Sequence, residues 1–302
     1  MTTYVYICPN CDRPHSLEEF DESRFCRHCG KFLTSRDRRI LEQDLIKKEN
    51  ISTPTDIEKS IERTYRLIQR SIPLNTQIDS LEVVDQVEEY RQFWKPKRIN
   101  VVLLAESHVY TDEEDYEIEC DSSILHRIIP NYPLRFVRFV YCLGYGENEL
   151  LVREINSNKR GTPDFWKIFS YCVGEDETKV LKMGTWEKTP ENLEERLRNK
   201  VNVLQKMREK GVWLLDASIV GLSKMKRNKT KKKTIKICWD NHIAKVIRES
   251  KPNYIVVIGK RVASVLSLEL QKLKIPFEIL PQPRGQSVEY YERYQRICVE
   301  YC

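Results

Sequence analysis

The sequence predicts an α/β protein, a four-stranded parallel sheet in an α/β/α sandwich, preceded by a small cysteine unit and a helical connector. Three observations predict it. Four short apolar runs, at 99–105, 212–215, 254–258 and 277–280, read as strands buried on both faces. Helical patterns at about 190–210, 240–250, 261–272 and 287–299 lie between or after those runs, the alternation that builds a parallel sheet covered on both sides. Four of the ten cysteines form two CxxC pairs before residue 30. At 302 residues the chain is long enough for a sizeable core and more than one unit.

Residues 1–35 form the cysteine unit. Cys8-x2-Cys11 and Cys26-x2-Cys29 are separated by fourteen residues, and Gly30 directly follows the last of them. Two such knuckles bring four thiolates together in the tetrahedron that structural zinc prefers, so a zinc ribbon is expected. His15 and His28 are spare donors that a four-cysteine set does not need. A unit this small cannot build a core, and bound metal would supply its folding energy. The other six cysteines (Cys120, Cys142, Cys172, Cys238, Cys298 and Cys302) are scattered and read as buried or terminal free thiols rather than a disulfide framework.

Residues 36–95 read as a helical connector that packs on the next domain. Leu41, Leu45 and Ile46 recur at helical spacing; a second helix follows Ser52-Thr53-Pro54, with Ile57, Ile61, Tyr65 and Ile68 on one face. A third, at 79–94, carries Leu81, Val84, Val87 and Tyr90. The cluster Lys31, Arg36, Arg38 and Arg39 reads as a solvated face.

Residues 96–302 form the main domain, and its charge is unevenly spread. The chain has a formal net charge of +6, yet seven of the ten residues 224–233 are Lys or Arg, so the rest is close to neutral. This basic stretch reads as a loop that meets a polyanion, nucleic acid above others. No apolar run approaches the roughly 18–20 residues a membrane span needs, and the N-terminus lacks the basic start and apolar core of a signal peptide. A cytoplasmic, monomeric protein with no membrane partner is expected.

In parallel α/β sheets the site lies at the carboxyl ends of the strands. Here those ends carry Glu106-Ser107-His108, Asp216-Ala217-Ser218, Gly259-Lys260-Arg261 and Pro281-Gln282-Pro283-Arg284-Gly285. Two acids, a histidine, two hydroxyls and several cations thus converge on one rim, although any one of them taken alone has an ordinary structural reading.

These segments resemble the uracil-DNA glycosylase superfamily. Residues 211–218, GVWLLDAS, are similar to its GVLLLNA strand. Residues 101–110, VVLLAESHVY, stand where the family has an apolar strand and its water-activating motif, Gly-Gln-Asp-Pro-Tyr or Gly-Glu-Ala-Pro-Gly. Residues 254–265, YIVVIGKRVASV, are similar to the strand and helix that come next, and LPQPRG at 280–285 falls where the family carries His-Pro-Ser-Pro. Order and spacing agree over 96–302, while no single motif matches strictly. The resemblance implies a distant member that removes a base from DNA, with no cofactor for catalysis. Some relatives hold an iron–sulfur cluster on four cysteines; here the paired cysteines precede the domain in ribbon spacing, which favours zinc.

The departures from the family's motifs point to a substrate. Ser107 takes the place of the motif Asp, and Glu106 matches the Glu of the second motif. Leu280 replaces the motif His. Val109 stands where uracil-specific members carry the Tyr that excludes 5-substituted pyrimidines, and Asp216 replaces the Asn that reads uracil. A carboxylate only accepts hydrogen bonds, which suits the exocyclic amine of cytosine. A pocket for a 5-substituted cytosine results, resembling bacterial anti-phage glycosylases that remove glucosylated hydroxymethylcytosine. Ser218, Tyr145, Phe165 and Trp166 are further pocket candidates, with core packing as their ordinary reading.

In the mechanism implied, Lys224, Lys226, Arg227, Lys229, Lys231, Lys232, Lys233, Lys260, Arg284 and Gln286 contact DNA while the target base is flipped out. Glu106 stabilises the cationic sugar or positions water, Asp216 reads the base or shares that work, and His108 steadies the departing anionic base. Lys260 is an amine and so a nucleophile in principle, but a hydrolytic, lyase-free enzyme is favoured. The alternatives are a repair glycosylase for uracil or another deaminated base, and a non-catalytic zinc-ribbon DNA-binding protein. A two-metal nuclease fits less well, because the carboxylates are not spaced for two metals.

Overall fold

Four parallel strands, in the spatial order Val212–Asp216, Val101–Ala105, Tyr254–Ile258 and Phe277–Leu280, form the sheet on which the larger part of the chain is built. The structure is a computed structural model and describes residues 4–7, 14–16, 38–40, 56–155, 161–175 and 192–302. The chain divides into two units, Met1–Thr55 and Asp56–Cys302.

In the first unit β1 (Tyr4–Ile7) pairs antiparallel with β2 (Pro14–Ser16) and with β3 (Arg38–Ile40). The first CxxC pair falls in the connection between β1 and β2, and Arg38 and Arg39 stand in β3. Cys8, Cys11, Cys26 and Cys29 themselves lie outside the described residues, as does the helix expected around Leu41, Leu45 and Ile46.

The second unit begins with α1 (Asp56–Ser71) and α2 (Leu81–Phe93). Both were expected in a connector; both belong to the same compact unit as the sheet. The helical periodicity has the anticipated result, since Ile61, Tyr65, Ile68, Val84, Val87 and Tyr90 are all buried in the core shared with the sheet. Ser80 caps α2, its hydroxyl accepting from the Val83 amide at 3.4 Å. Then come β4 (Val101–Ala105), the short helices α3 (Glu113–Tyr116) and α4 (Ser122–Ile128), α5 (Pro163–Val173) and α6 (Leu193–Lys210). These are followed by β5 (Val212–Asp216), α7 (Asn228–Cys238), a π-helical turn (Trp239–Ile243) and α8 (Ala244–Ser250). The chain ends with β6 (Tyr254–Ile258), α9 (Lys260–Lys272), β7 (Phe277–Leu280) and α10 (Val288–Tyr301).

The helices form two packed groups. One joins α5 to α6 and α10; the other joins α7 to α1, α9 and the π-helical turn. Every residue of the central strand β4 and of the edge strand β5 is buried, so both strands have helices or loops on both faces. Gly211 makes the turn from α6 into β5. Its φ of +77° is left-handed, and a Cβ there would stand 2.6 Å from the Arg98 carbonyl oxygen. No described helix is long and apolar enough to cross a membrane. Five of the six scattered cysteines are buried and free, and Cys302 is exposed and free.

The basic stretch differs from its expected form. Only its first part is a loop, because α7 starts at Asn228 and takes in Lys229, Lys231, Lys232 and Lys233. Lysine is a good helix former, and Thr234, Ile235 and Cys238 anchor the far end of α7 in the interior. The helix therefore opens with lysines where its dipole is positive and has no side-chain cap at Arg227.

Leu103 lies in the middle of a central strand and is fully buried. Leu103→Ala is expected to lower the unfolding free energy by about 2–5 kcal/mol through the cavity it leaves. Urea denaturation would show this as a lower midpoint with an unchanged slope.

Candidate functional site

The register of β4 on β5 creates the site. Ala105 pairs with Asp216, so Glu106, Ser107 and His108 leave β4 beside the acid that ends β5. The chain out of β5 is fastened to the chain out of β4, with the Ala217 amide donating to the Ala105 carbonyl at 2.8 Å and the Ser218 amide to the Glu106 carbonyl at 3.1 Å. The Ser107 hydroxyl accepts from the Leu222 amide at 3.1 Å. Against these strand ends lies a cavity of about 30 Å³, lined by Ser107, His108, Val109, Arg138, Phe139, Val140, Thr162, Phe165, Leu214 and Asp216. That space suits a water molecule, so a larger ligand would have to displace part of the wall.

Behind the cavity sits a buried charge cluster. Arg91, from α2, donates to Asp216 Oδ2 at 3.0 Å and pairs with Glu88 on its own helix. Its guanidinium lies 5.2 Å from the Phe139 ring centre, and its carbonyl accepts from Trp213 Nε1 at 3.1 Å. His108 is fully enclosed, with Nε2 3.3 Å from Asp79 Oδ2 and Nδ1 3.8 Å from Asp216 Oδ2. Neither ring nitrogen has a well-aligned hydrogen bond, and the ring is held by charge attraction to Asp79 and by polar contact with both carboxylates. Burial alone would push this imidazole towards neutrality; Asp79 and Asp216 outweigh it and raise the pKa to about 9. Asp79 is itself fixed by backbone amides, Thr111 N–H to Oδ1 at 2.8 Å and Gly221 N–H to Oδ2 at 2.5 Å. Gly221 permits that approach, since a Cβ would lie 2.6 Å from the Tyr110 nitrogen.

Glu106 stands apart from this cavity. Its carboxylate pairs with Arg261 at the start of α9, and Arg261 Nε also donates to Asn228 Oδ1, at the start of α7, at 2.8 Å. Glu106 is half-buried on the rim.

Of the residues singled out from sequence, Ser107, His108, Val109, Phe165 and Asp216 meet at one cavity. Three others have structural surroundings. The buried Ser218 hydroxyl donates to the Val220 carbonyl at 2.8 Å and shapes the turn after β5. Trp166 is buried against Phe169 and under Lys200 Nζ, and Tyr145 is half-buried beside the Gly161 turn. The part expected for His108, steadying a departing base, needs a ring N–H directed at the cavity; both nitrogens instead face carboxylates.

Lys224, Lys226, Arg227 and Lys229 are exposed, Lys231 and Lys232 half-buried, and Lys224 Nζ lies 5.8 Å from the Tyr110 ring centre. Lys233 donates to the Ser71 carbonyl at 2.6 Å, closing the end of α1. Lys260 and Arg284 are exposed and Gln286 half-buried, its side chain donating to the Gln282 carbonyl at 3.0 Å.

Asp79, Arg91, Arg138 and Phe139 complete the site and were not anticipated. Asp79 precedes a helix cap and reads as part of a start signal, while Arg91 looks like the partner of Glu88 one turn earlier. Arg138 is held by Asp115. Among the described residues no group of three or more His, Cys, Asp or Glu is placed to hold a metal ion. Comparison with protein-family models and with curated protein sequences gives no match for this chain.

The His108 cluster has a pH signature. With a folded pKa of about 9 against the ordinary 6.5, its stabilisation is full below pH 6.5 and is lost as pH rises through 9. The thermal midpoint of the wild type should fall across that window, by on the order of 3 kcal/mol in unfolding free energy. His108→Gln should remove that alkaline decline, as read by circular dichroism melts at pH 6, 8 and 9.5.

Proposed function

We propose that this chain is a DNA glycosylase, a distant member of the uracil-DNA glycosylase superfamily that hydrolytically excises a 5-substituted cytosine. Glucosylated hydroxymethylcytosine in phage DNA is the base favoured, the abasic sites left behind serving antiviral defence. One observation carries the reading. The second strand of a parallel sheet ends in Asp216, which lines a cavity together with Val109 from the neighbouring strand end. A carboxylate accepts from an exocyclic amine and repels the O4 of uracil, and valine leaves space beside C5 where tyrosine would fill it.

The remaining roles follow from position. Exposed Lys224, Lys226, Arg227, Lys229, Lys260 and Arg284 grip phosphates without reading sequence. The target base is flipped and widens the cavity on entry, since about 30 Å³ does not admit a pyrimidine. As the glycosidic bond breaks, positive charge builds on the sugar; Glu106 at the rim stabilises it or orients the attacking water once Arg261 yields. The paired cysteines fit a structural zinc by donor type and spacing and would hold the N-terminal unit together.

A second reading, a non-catalytic DNA-binding protein, is favoured by the capture of Glu106 by Arg261 and by the tightness of the cavity. Duplexes carrying uracil, hydroxymethylcytosine or its glucosylated form, incubated with the protein and cleaved with alkali, separate the readings. Strand breaks at the glucosylated base are expected, with Glu106→Gln lowering the rate by about 100- to 1,000-fold. Breaks at uracil alone would falsify the modified-cytosine reading and indicate a repair enzyme. Binding without breaks would indicate the non-catalytic protein. Replacing Lys226 and Arg227 by Gln should weaken binding equally across sequences and reduce the log–log salt slope by about 2.

A further inference from the structure

Two cations reach Asp216, and both approach the same atom. Arg91 Nη2 is 3.0 Å and His108 Nδ1 3.8 Å from Oδ2, so Oδ1 takes part in neither contact. The two come from different elements, α2 and the chain after β4, and each is backed by its own carboxylate, Glu88 behind Arg91 and Asp79 behind His108. Asp79 in turn is fixed through both oxygens by the Thr111 and Gly221 amides. The row Glu88–Arg91–Asp216–His108–Asp79 therefore runs through the interior with alternating charge when His108 is protonated. A row of this kind fixes orientation more than it adds stability, because every member has been taken out of water.

We propose that Arg91, His108 and Asp79 are positioning residues that hold Asp216 by Oδ2 and leave Oδ1 as a preset acceptor for an N–H-bearing ligand edge, such as an aminopyrimidine. This deepens the reading of Asp216 as the base-recognising group and rests on it. His108 then acts through Asp216 and does not touch the leaving base. Asp216→Asn does not convert the protein to uracil excision, since an amide would leave Arg91 and His108 as two buried cations without their shared counter-charge.

The groups facing His108 are few. Asp79 and Asp216 hold its proton, Arg91 is the like charge that shares Asp216 Oδ2 with it, and Phe139 packs edge-on with ring centres 6.4 Å apart. Arg138 also lines the cavity and is paired with Asp115. His242, which feels the charges of Glu88 and Arg91, is held down to about 4 by burial, so it stays neutral at physiological pH and adds no charge to the row.

The test uses the full chain. Its five histidines give a tractable nuclear magnetic resonance spectrum after ¹⁵N-histidine labelling, with His108 assigned by loss of its signals in His108→Gln. Both His108 ring nitrogens should be protonated at pH 7.5 in the wild type; a neutral ring at that pH overturns the proposal, and no variant has to fold for that result. In Asp79→Asn the His108 titration should move to lower pH. Excision of the modified base by this variant should drop about 100-fold at pH 8 and recover most of that loss at pH 6, where the ring is protonated again, with Asp79→Glu intermediate. An equal loss at both pH values would mark Asp79 as merely structural and sink the positioning role. If the wild type excises no base at all, the functional reading fails, while the histidine spectrum still decides whether the clamp exists.

Discussion

An acid at the end of a buried strand must be neutralised, and how Asp216 is neutralised governs the surroundings of the site. The residue is 3 % exposed, and the price of removing its charge from water is met by Arg91 from α2 and by His108 from the neighbouring strand end. Arg91 places α2 against β5, where Trp213 donates back to the Arg91 carbonyl. His108 in turn requires Asp79, and Asp79 requires the amides of Thr111 and Gly221. Each charge thus calls for the next, until the last is answered by backbone. The turns after β4 and β5 and the start of α2 are arranged around this row, which ties α2 into the same compact unit as the sheet.

The strands were legible because a parallel strand is apolar along its length. The runs at 254–258 and 277–280 match β6 and β7 residue for residue, and the one at 212–215 misses only Asp216. The first run was read two residues too early, since Ile99 is buried by packing before β4 begins to pair. α7 was missed for the opposite reason. A run of lysines looks like a solvated loop, and its helical character rests on Thr234, Ile235 and Cys238, which follow the lysines.

Site residues were legible where they fall at strand ends and hidden elsewhere. Ser107, His108, Val109 and Asp216 follow from the rule that parallel sheets carry their chemistry at the carboxyl edge. Asp79 and Arg91 lie 137 and 125 positions before Asp216, at the start of and within a helix, where an acid near a cap and a cation one turn after a glutamate are commonplace. Only the folded arrangement makes them partners of that acid. Glu106 and His108 part for a related reason: β4 stops pairing at Ala105, so strand alternation no longer sets their direction, and Glu106 goes to the rim and Arg261 while His108 goes inward to Asp79.

The opening of α7 has a consequence for the stability of that helix. Lys229, Lys231 and Lys232 crowd a helix end whose own amides are already electropositive, and among the described residues none of the three has a carboxylate partner. That end is locally frustrated, with each charge raising the free energy of its neighbours. A polyanion laid across it would relieve the repulsion at no cost in rearrangement. Were the proposed polyanion to bind there, binding and folding would be coupled: part of the affinity would be stability the isolated chain lacks, returned to the helix as resistance to unfolding.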